Sequence, residues 1–144
     1  MKYIGLDLGT KTLGISISDS NGIIALPLTT IRYQNDDYNY LISELDSIIK
    51  NNNIEKIVLG LPKNMNNTIG ERALKTLEFK ELLEKNFKMN VIMQDERLST
   101  VASEKFLINN DISRKKRKQV IDKMASQVIL QSFLDKYNIE KEKY

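Results

Sequence analysis

The order of strand-like and helix-like segments is the feature that most restricts the fold of this chain. Three segments of strand character come first with only short links between them, whereas each later strand follows a helical segment. Strands joined by short links pair antiparallel, and strands separated by a helix pair parallel through a right-handed crossover. We therefore predict an α/β fold with a mixed five-stranded sheet, three antiparallel strands followed by two parallel ones, and helices on both faces.

Alternation and short apolar runs identify the strands. In the second strand, Leu13, Ile15 and Ile17 alternate with small residues, as in a half-buried strand. Asn21-Gly22 predicts a hairpin turn because both residues can adopt positive φ, and Pro27 indicates that the third strand lies at an edge. The five predicted strands span about Lys2–Leu8, Leu13–Asp19, Ile23–Tyr33, Lys56–Pro62 and Asn90–Glu96.

The helical segments repeat apolar residues every three or four positions. The predicted helices span Asp37–Asn51, Glu71–Phe87, a segment from a Ser99 or Thr100 cap to about Ile108, and Gln119–Lys136. The charged tail, residues 138–144, is expected to fray. No repeat, linker or low-complexity tract interrupts the chain, so residues 1–144 are expected to form a single domain.

The composition excludes several classes of chemistry. The sequence contains no Cys and no His, which rules out a Cys or His nucleophile and a Cys/His zinc site. Hydrolysis would depend on carboxylates, Lys, Ser/Thr, Tyr or a hard metal ion held by oxygen ligands. No apolar window approaches the roughly 18 residues of a membrane span. Because Met1 leads directly into the first strand and no signal segment precedes it, we expect a cytoplasmic protein without a membrane partner.

The net charge of +3 is unevenly distributed along the chain. Five consecutive cations form the sequence "RKKRK", which places positive charge at Arg114, Lys115, Lys116, Arg117 and Lys118. Such a block attracts phosphates, but it is also typical of a solvated loop before a helix. Charge alone leaves both interpretations open.

Acidic residues occur at the ends of three different elements. Asp7 lies near the end of the first strand, Asp95 and Glu96 end the fifth strand, and Asp122 lies near the start of the last helix. In a sheet of this kind those ends face one crevice, where ligands usually bind. Taken singly, Asp7 could face solvent, Glu96 could pair with Arg97, and Asp122 could be a favourable charge near a helix N-terminus.

Carboxylates that converge on one crevice repel each other, and a cation relieves that repulsion. Mg²⁺ and Mn²⁺ prefer oxygen ligands and keep positions open for water and phosphate oxygens. Two such ions, about 3.5–4 Å apart, can catalyse the hydrolysis of a phosphodiester without His or Cys. The grouped acids therefore predict a hydrolytic metal site that holds one or two ions.

Four blocks of the sequence, in order, resemble the YqgF family of RuvX-type, Holliday-junction-resolvase-like proteins in the RNase H-like superfamily. The blocks are "GLDLGTKTLGIS", "VLGLPKNMNNTIGERA", "DERLSTVAS" and "KQVIDKMASQVILQSFL". The resemblance covers nearly the whole chain. It implies an RNase H-like fold and a Mg²⁺- or Mn²⁺-dependent endonuclease that matures the 5′ end of pre-16S rRNA during ribosome biogenesis.

The resemblance also implies roles for individual residues. It assigns catalytic and metal-binding roles to Asp7, Glu96 and Asp122, with Asp95 as an auxiliary acid. It assigns substrate binding to the polar side chains Lys11, Lys63, Asn64, Arg72 and Arg97, and the basic run Arg114–Lys118 would follow the nucleic-acid backbone. Thr12, Asn67, Met124 and Ser126 depart from the family pattern, and of these only Thr12 would affect substrate binding directly.

Three alternatives remain open from the sequence. The segment "DLGTKTLGIS" also resembles the phosphate loop of actin- and sugar-kinase-like ATPases, although the chain is too short for their two-domain cleft. A resolvase that cuts branched DNA would use the same acids. A non-catalytic RNA-binding assembly factor would use only the basic residues. We expect a structured nucleic acid as partner, an rRNA precursor rather than branched DNA, bound by a monomer or a homodimer.

Overall fold

The computed structural model describes residues 1–62, 70–95 and 114–142, and in the last segment the side chains of 124–139. The strands are β1 (Tyr3–Leu8), β2 (Thr12–Ser18), β3 (Ala25–Arg32), β4 (Lys56–Leu61) and β5 (Val91–Asp95). The helices of the described segments are α1 (Tyr38–Asn51), α2 (Glu71–Phe87) and α3 (Arg114–Glu142). The helix predicted from Ser99 or Thr100 to Ile108 falls outside the described residues.

The sheet has the predicted mixed topology. Its five strands lie in the order β3-β2-β1-β4-β5. The β1–β2 and β2–β3 pairs are antiparallel, and the β1–β4 and β4–β5 pairs are parallel. β3 is an edge strand, as Pro27 predicted, and its register shifts opposite Ile15 and Ser16. The fold class predicted from the order of elements is therefore confirmed.

The turn between β2 and β3 forms where Asn21-Gly22 predicted it. Gly22 has φ +68°, whereas Asn21 is not among the residues with positive φ, so only one of the pair adopts the left-handed conformation. The Asp19 carboxylate accepts the backbone N–H groups of Ile23 at 2.7 Å and Ile24 at 3.0 Å. These hydrogen bonds lower the pKa of Asp19 because they stabilise its charged form.

Helices α1 and α2 cover one face of the sheet. The large buried residues of this face come from strands and helices alike: Ile4, Leu6, Leu8, Leu13, Ile15, Leu41, Leu45, Ile57, Leu59, Phe79 and Leu83. Asp37 caps α1, since its side chain accepts the N–H of Tyr40 at 3.2 Å. This face forms the larger hydrophobic core of the protein.

Helix α3 crosses the opposite face and contacts all five strands. Its buried residues Ile129, Leu130 and Leu134 pack with Tyr3 and Val58 in a second, smaller core. The rings of Tyr3 and Phe133 meet edge to face with centroids 5.6 Å apart. Helices therefore lie on both faces of the sheet, as predicted.

The boundaries predicted for the last helix, Gln119–Lys136, are wrong at both ends. α3 begins at Arg114 and ends at Glu142, so the basic run Arg114–Lys118 belongs to the helix and does not form a loop before it. Lys, Arg and Glu have high helix propensity, which allows the helix to continue through both charged segments. Near its end, the Asn138 side-chain amide donates to the Gly22 carbonyl at 3.2 Å.

None of the described helices has an apolar stretch long enough to cross a membrane.

Candidate active site

Asp7 lies on the face of the sheet that α3 covers. Side chains alternate along a strand, and Leu6 and Leu8 of β1 are buried in the core beneath α1 and α2. Asp7 points the other way and is half-buried. In β2, Asp7 pairs with Gly14. On its other side, in β4, Leu6 pairs with Leu59, so the next residue, Gly60, lies beside Asp7. The carboxylate therefore lies between neighbouring strand positions that carry no side chain, which leaves room for ligands beside it.

Small residues bring α3 into direct contact with β1, two residues before Asp7. A Cβ atom added at Gly5 would lie 2.5 Å from Ser16 Oγ, 2.7 Å from Leu130 Cβ and 3.1 Å from the Ser126 carbonyl oxygen. The Ser16 hydroxyl donates to that carbonyl at 2.9 Å. Only glycine at position 5 allows the helix to approach so closely, and the hydrogen bond fixes the position of the helix along the strand.

The direction of α3 brings its N-terminal half toward the end of β1 that carries Asp7. Phe133 packs on Tyr3 at the start of β1, whereas Ser126, two turns earlier in the helix, lies over Gly5. The helix therefore runs opposite to β1. Position 122 is one turn, about 6 Å, before Ser126, and Asp7 is about 7 Å beyond Gly5.

The turn after Asp7 is held by two side chains from other elements. Arg72 of α2 donates from Nη2 to the Leu8 carbonyl at 2.9 Å, and the Tyr33 hydroxyl donates to the Gly9 carbonyl. Burial raises the pKa of Tyr33, and the Arg72 guanidinium beside it opposes that rise. Arg72 was predicted to bind substrate. In the structure it contacts the backbone, so it is suited to position the turn.

An open, polar cavity lies at the same end of the sheet. It has a volume of about 740 Å³, and its lining includes Thr10, Lys11, Arg32, Tyr33, Gln34 and Tyr40. Lys11, a predicted phosphate contact, belongs to this lining. The other members were not predicted, although the polar sequence "RYQND", which begins at the last residue of the third strand, is a signal of a binding loop.

Asp95 lies at the end of β5, as predicted, but on the other face of the sheet from Asp7. Met93 packs against the core beneath α1 and α2, and by strand alternation Asp95, two residues later, falls on that same face. Asp95 is half-buried. An auxiliary role at a metal bound to Asp7 would therefore require its side chain to reach past the end of the strand.

The other predicted site residues are only partly covered by the structure. Glu96, Lys63, Asn64 and Arg97 lie outside the described residues. Asp122 and the basic residues Arg114, Lys115, Lys116, Arg117 and Lys118 lie in α3, at positions whose side chains are not described. In the described part of the chain, no group of three acidic side chains could hold a metal ion. The side chains of two of the three predicted ligands, Glu96 and Asp122, are not described.

Comparison with known proteins identifies the family. The sequence model of the RuvX family, described as a Holliday junction resolvase, matches residues 1–136. The chain belongs to the RuvX family. RuvX relatives named "Putative pre-16S rRNA nuclease" include one from Bacillus cereus strain B4264, 51% identical over 94% of this chain and 99% of its own length. The Bacillus subtilis strain 168 relative of that name is 49% identical over 96% of this chain and 100% of its own.

Solved structures show which fold this RuvX protein shares. The Thermus thermophilus RuvC complex with a Holliday junction substrate superimposes with a TM-score of 0.58 over 95% of this chain and 96% of that one, at 10% identity. The fowlpox virus Holliday junction resolvase gives 0.54 over 94% and 99%, at 13% identity. At such low identity the likeness establishes the fold, which is the RNase H-like fold of RuvC-type resolvases.

Proposed function

We propose that this RuvX protein is a metal-dependent nuclease that hydrolyses phosphodiester bonds in a structured RNA. The proposed substrate is the 5′ end of pre-16S rRNA in the cytoplasm, and the proposed role is in ribosome biogenesis. The supporting observation is the setting of Asp7, a half-buried carboxylate between glycine positions, on the face that α3 approaches. Relatives of about half identical sequence that carry a pre-16S rRNA nuclease name support the choice of substrate.

The residues proposed to hold the metal are Asp7, Glu96 and Asp122. Their donor set fits Mg²⁺ or Mn²⁺, because it consists of carboxylate oxygens and the chain has no Cys or His to favour a softer ion. A bound ion would activate water and stabilise the charge that develops on the phosphate. The close contact at Gly5 supports the pairing of Asp7 with Asp122, since both positions lie beyond that contact in the same direction.

The other residues of the site would orient the carboxylate and the substrate. Arg72 and Tyr33 hold the carbonyl groups of Leu8 and Gly9, which restrains the backbone just after Asp7. Lys11 follows in the same turn and is exposed, so it is placed to bind a phosphate next to the one that is cut. The basic run at the start of α3 would bind the backbone further along the strand.

A junction resolvase is the second candidate. The description of the RuvX family model favours it, and so does the use of this fold by RuvC, which has been captured with a Holliday junction. Both candidates use the same acids and differ only in the nucleic acid that reaches them. A factor that binds RNA without cutting it would use the cations but not Asp7.

The test is a cleavage assay with a labelled pre-16S rRNA fragment and a four-way DNA junction, in Mg²⁺ or Mn²⁺ and then in EDTA. The variants are Asp7→Asn and, as a matched control, Asp46→Asn, an exposed carboxylate on α1 paired with Lys50. We expect metal-dependent cutting of the RNA that is lost only in Asp7→Asn. Cutting of the junction but not of the RNA would show that branched DNA is the substrate. Equal cutting by wild type and Asp7→Asn would refute the mechanism.

A further inference from the structure

The cavity beside the Asp7 turn has the features of a site for a single nucleotide. We propose that it binds one unpaired nucleotide of the substrate, adjacent to the phosphate that is cut. The inference rests on the proposed nuclease function and adds a substrate class to it. The preferred substrate is a nucleic acid with a single-stranded segment at the cleavage point, and not a continuous duplex.

The charges of the cavity favour a phosphate. Lys11 and Arg32 are exposed side chains of its lining, and neither forms an ion pair with a residue of the described segments. The acidic member of the lining, Asp36, is already paired with Lys75 of α2. Two cations therefore remain to attract the backbone of a nucleic acid.

The remaining side chains favour a base. Tyr40 lines the cavity and is 43% exposed, so its ring offers a surface on which a base can stack. Gln34 and Asn35 supply amide groups that can both donate to and accept from a base edge. In a duplex the faces of the bases are covered by their neighbours, so only an unpaired base could stack on Tyr40.

Hydrogen bonds connect the wall of the cavity to the turn after Asp7. Its wall contains a tight turn in which Asn35 and Asp36 both have φ 54° and the N–H of Asp37 donates to the Gln34 carbonyl at 3.0 Å. Tyr33 bonds the Gly9 carbonyl through its hydroxyl and the Lys11 carbonyl through its N–H, the latter at 3.0 Å. A nucleotide held here would lie against Lys11, which follows Asp7 by four positions in the sequence.

Binding measured in EDTA tests the inference without relying on catalysis. Fluorescence anisotropy would compare a labelled hairpin that carries a short single-stranded extension with the same hairpin made blunt, in RNA and in DNA. We expect the extended form to bind more tightly. Tyr40→Ala should weaken binding of the extended form by about 5- to 150-fold, which corresponds to one lost stacking interaction, and leave the blunt form unchanged.

Three further variants sharpen the test. Tyr40→Phe keeps the ring and should retain the preference, whereas Arg32→Ala should reduce it. Tyr137→Ala is the matched control, because Tyr137 is also 43% exposed but lies on α3 near the start of β1. Equal binding of both hairpins, or a Tyr40→Ala variant that keeps the preference, would overturn the inference.

The outcome is separable from that of the nuclease proposal. Loss of cutting in Asp7→Asn, together with no preference for the extension, would support the nuclease and refute the nucleotide site. A preference that depends on Tyr40, found in a protein that cuts neither substrate, would support the site and refute the nuclease. Comparison of the RNA and DNA hairpins would show whether the site accepts ribose, deoxyribose or both.

Discussion

The two faces of the sheet are built from different kinds of side chain. Under α1 and α2, the strands present bulky aliphatic residues such as Leu6, Ile15 and Leu59, all fully or almost fully buried. Under α3, β1 and β2 present Gly5, Ser16 and Asp7. The first face excludes water over a large apolar area, and the second brings a helix close to polar groups.

The difference indicates that one face mainly stabilises the fold and the other mainly positions α3 and Asp7. Burial of large apolar groups supplies most of the folding free energy, at about 25 cal/mol per Å² of apolar surface removed from water. The face under α3 gives up some of that burial for close backbone approach and for hydrogen bonds that fix the helix over β1. Damage to the first face should therefore reduce stability more than catalysis, and damage to the second should do the reverse.

The largest effect on stability is expected from Phe79→Ala. Phe79 of α2 is completely buried in the first face, and removing its ring should lower the free energy of unfolding by about 3–5 kcal/mol. Chemical denaturation would measure this loss. At a temperature where the variant is still folded, its kcat should stay close to that of wild type. A large fall in the kcat of the folded variant would contradict the expectation that this face determines stability more than catalysis.

Gly5→Ala should show the opposite pattern. The added methyl group meets Ser16 Oγ and Leu130 Cβ, so α3 must move away from β1. Overpacking of this kind costs about 1–3 kcal/mol of stability. A displacement of about 1 Å at the site can cost about 10²-fold in rate. Single-turnover cleavage would measure the loss of rate and chemical denaturation the loss of stability, each beside Phe79→Ala. Normal cleavage by Gly5→Ala would contradict the proposed difference between the two faces.

Arg72→Ala tests whether that side chain positions the Asp7 turn or binds substrate. Because its guanidinium is bonded to the Leu8 carbonyl, we expect kcat to fall by about 10- to 100-fold, as for other residues that orient metal ligands, with little change in KM. Lys80→Ala, on the same helix and paired with Glu84, is the control. A rise in KM with unchanged kcat would instead support the substrate-binding role predicted from the sequence.

The smallest effects are expected from two serines at the contact between α3 and the sheet, Ser16 of β2 and Ser126 of α3. Ser16→Ala removes the hydrogen bond to the Ser126 carbonyl and should destabilise by about 1 kcal/mol. The Ser126 hydroxyl is buried and has no hydrogen-bond partner in the described part of the protein. Ser126→Ala should therefore leave stability unchanged or raise it. Thermal unfolding of the two variants side by side would show whether this asymmetry exists; equal losses would argue against it.

The sequence was sufficient to predict the fold because local patterns agreed with the long-range pairing. The alternation of β2, the edge position indicated by Pro27 and the α-helical period of α1 all correspond to features of the structure. The ends predicted for α3 were wrong because the charged segments on both sides were left out of the helix, whereas the charged residues there are good helix formers. A local pattern does not show how far a helix extends once it is anchored elsewhere.

The candidate site was predictable only in part. The placement of Asp7 in β1 was predictable, because a carboxylate inside an apolar strand is a strong local signal, and its role as a metal ligand stays a prediction. The hydrogen bond between Arg72 and the Leu8 carbonyl was not predictable, because it joins residues 64 positions apart in the sequence. The cavity was missed for the same reason: Lys11 and Tyr40 come from different elements that only the folded sheet brings together.

Metal binding tests most directly whether the face under α3 holds the catalytic centre. Calorimetric titration of Mn²⁺ into wild type, Asp7→Asn, Asp122→Asn and the control Asp46→Asn, each checked for folding, measures this without any substrate. We expect Mn²⁺ binding to be at least about tenfold weaker in both the Asp7 and the Asp122 variants, and unchanged in the control. Wild-type affinity in either of those two variants would contradict this expectation.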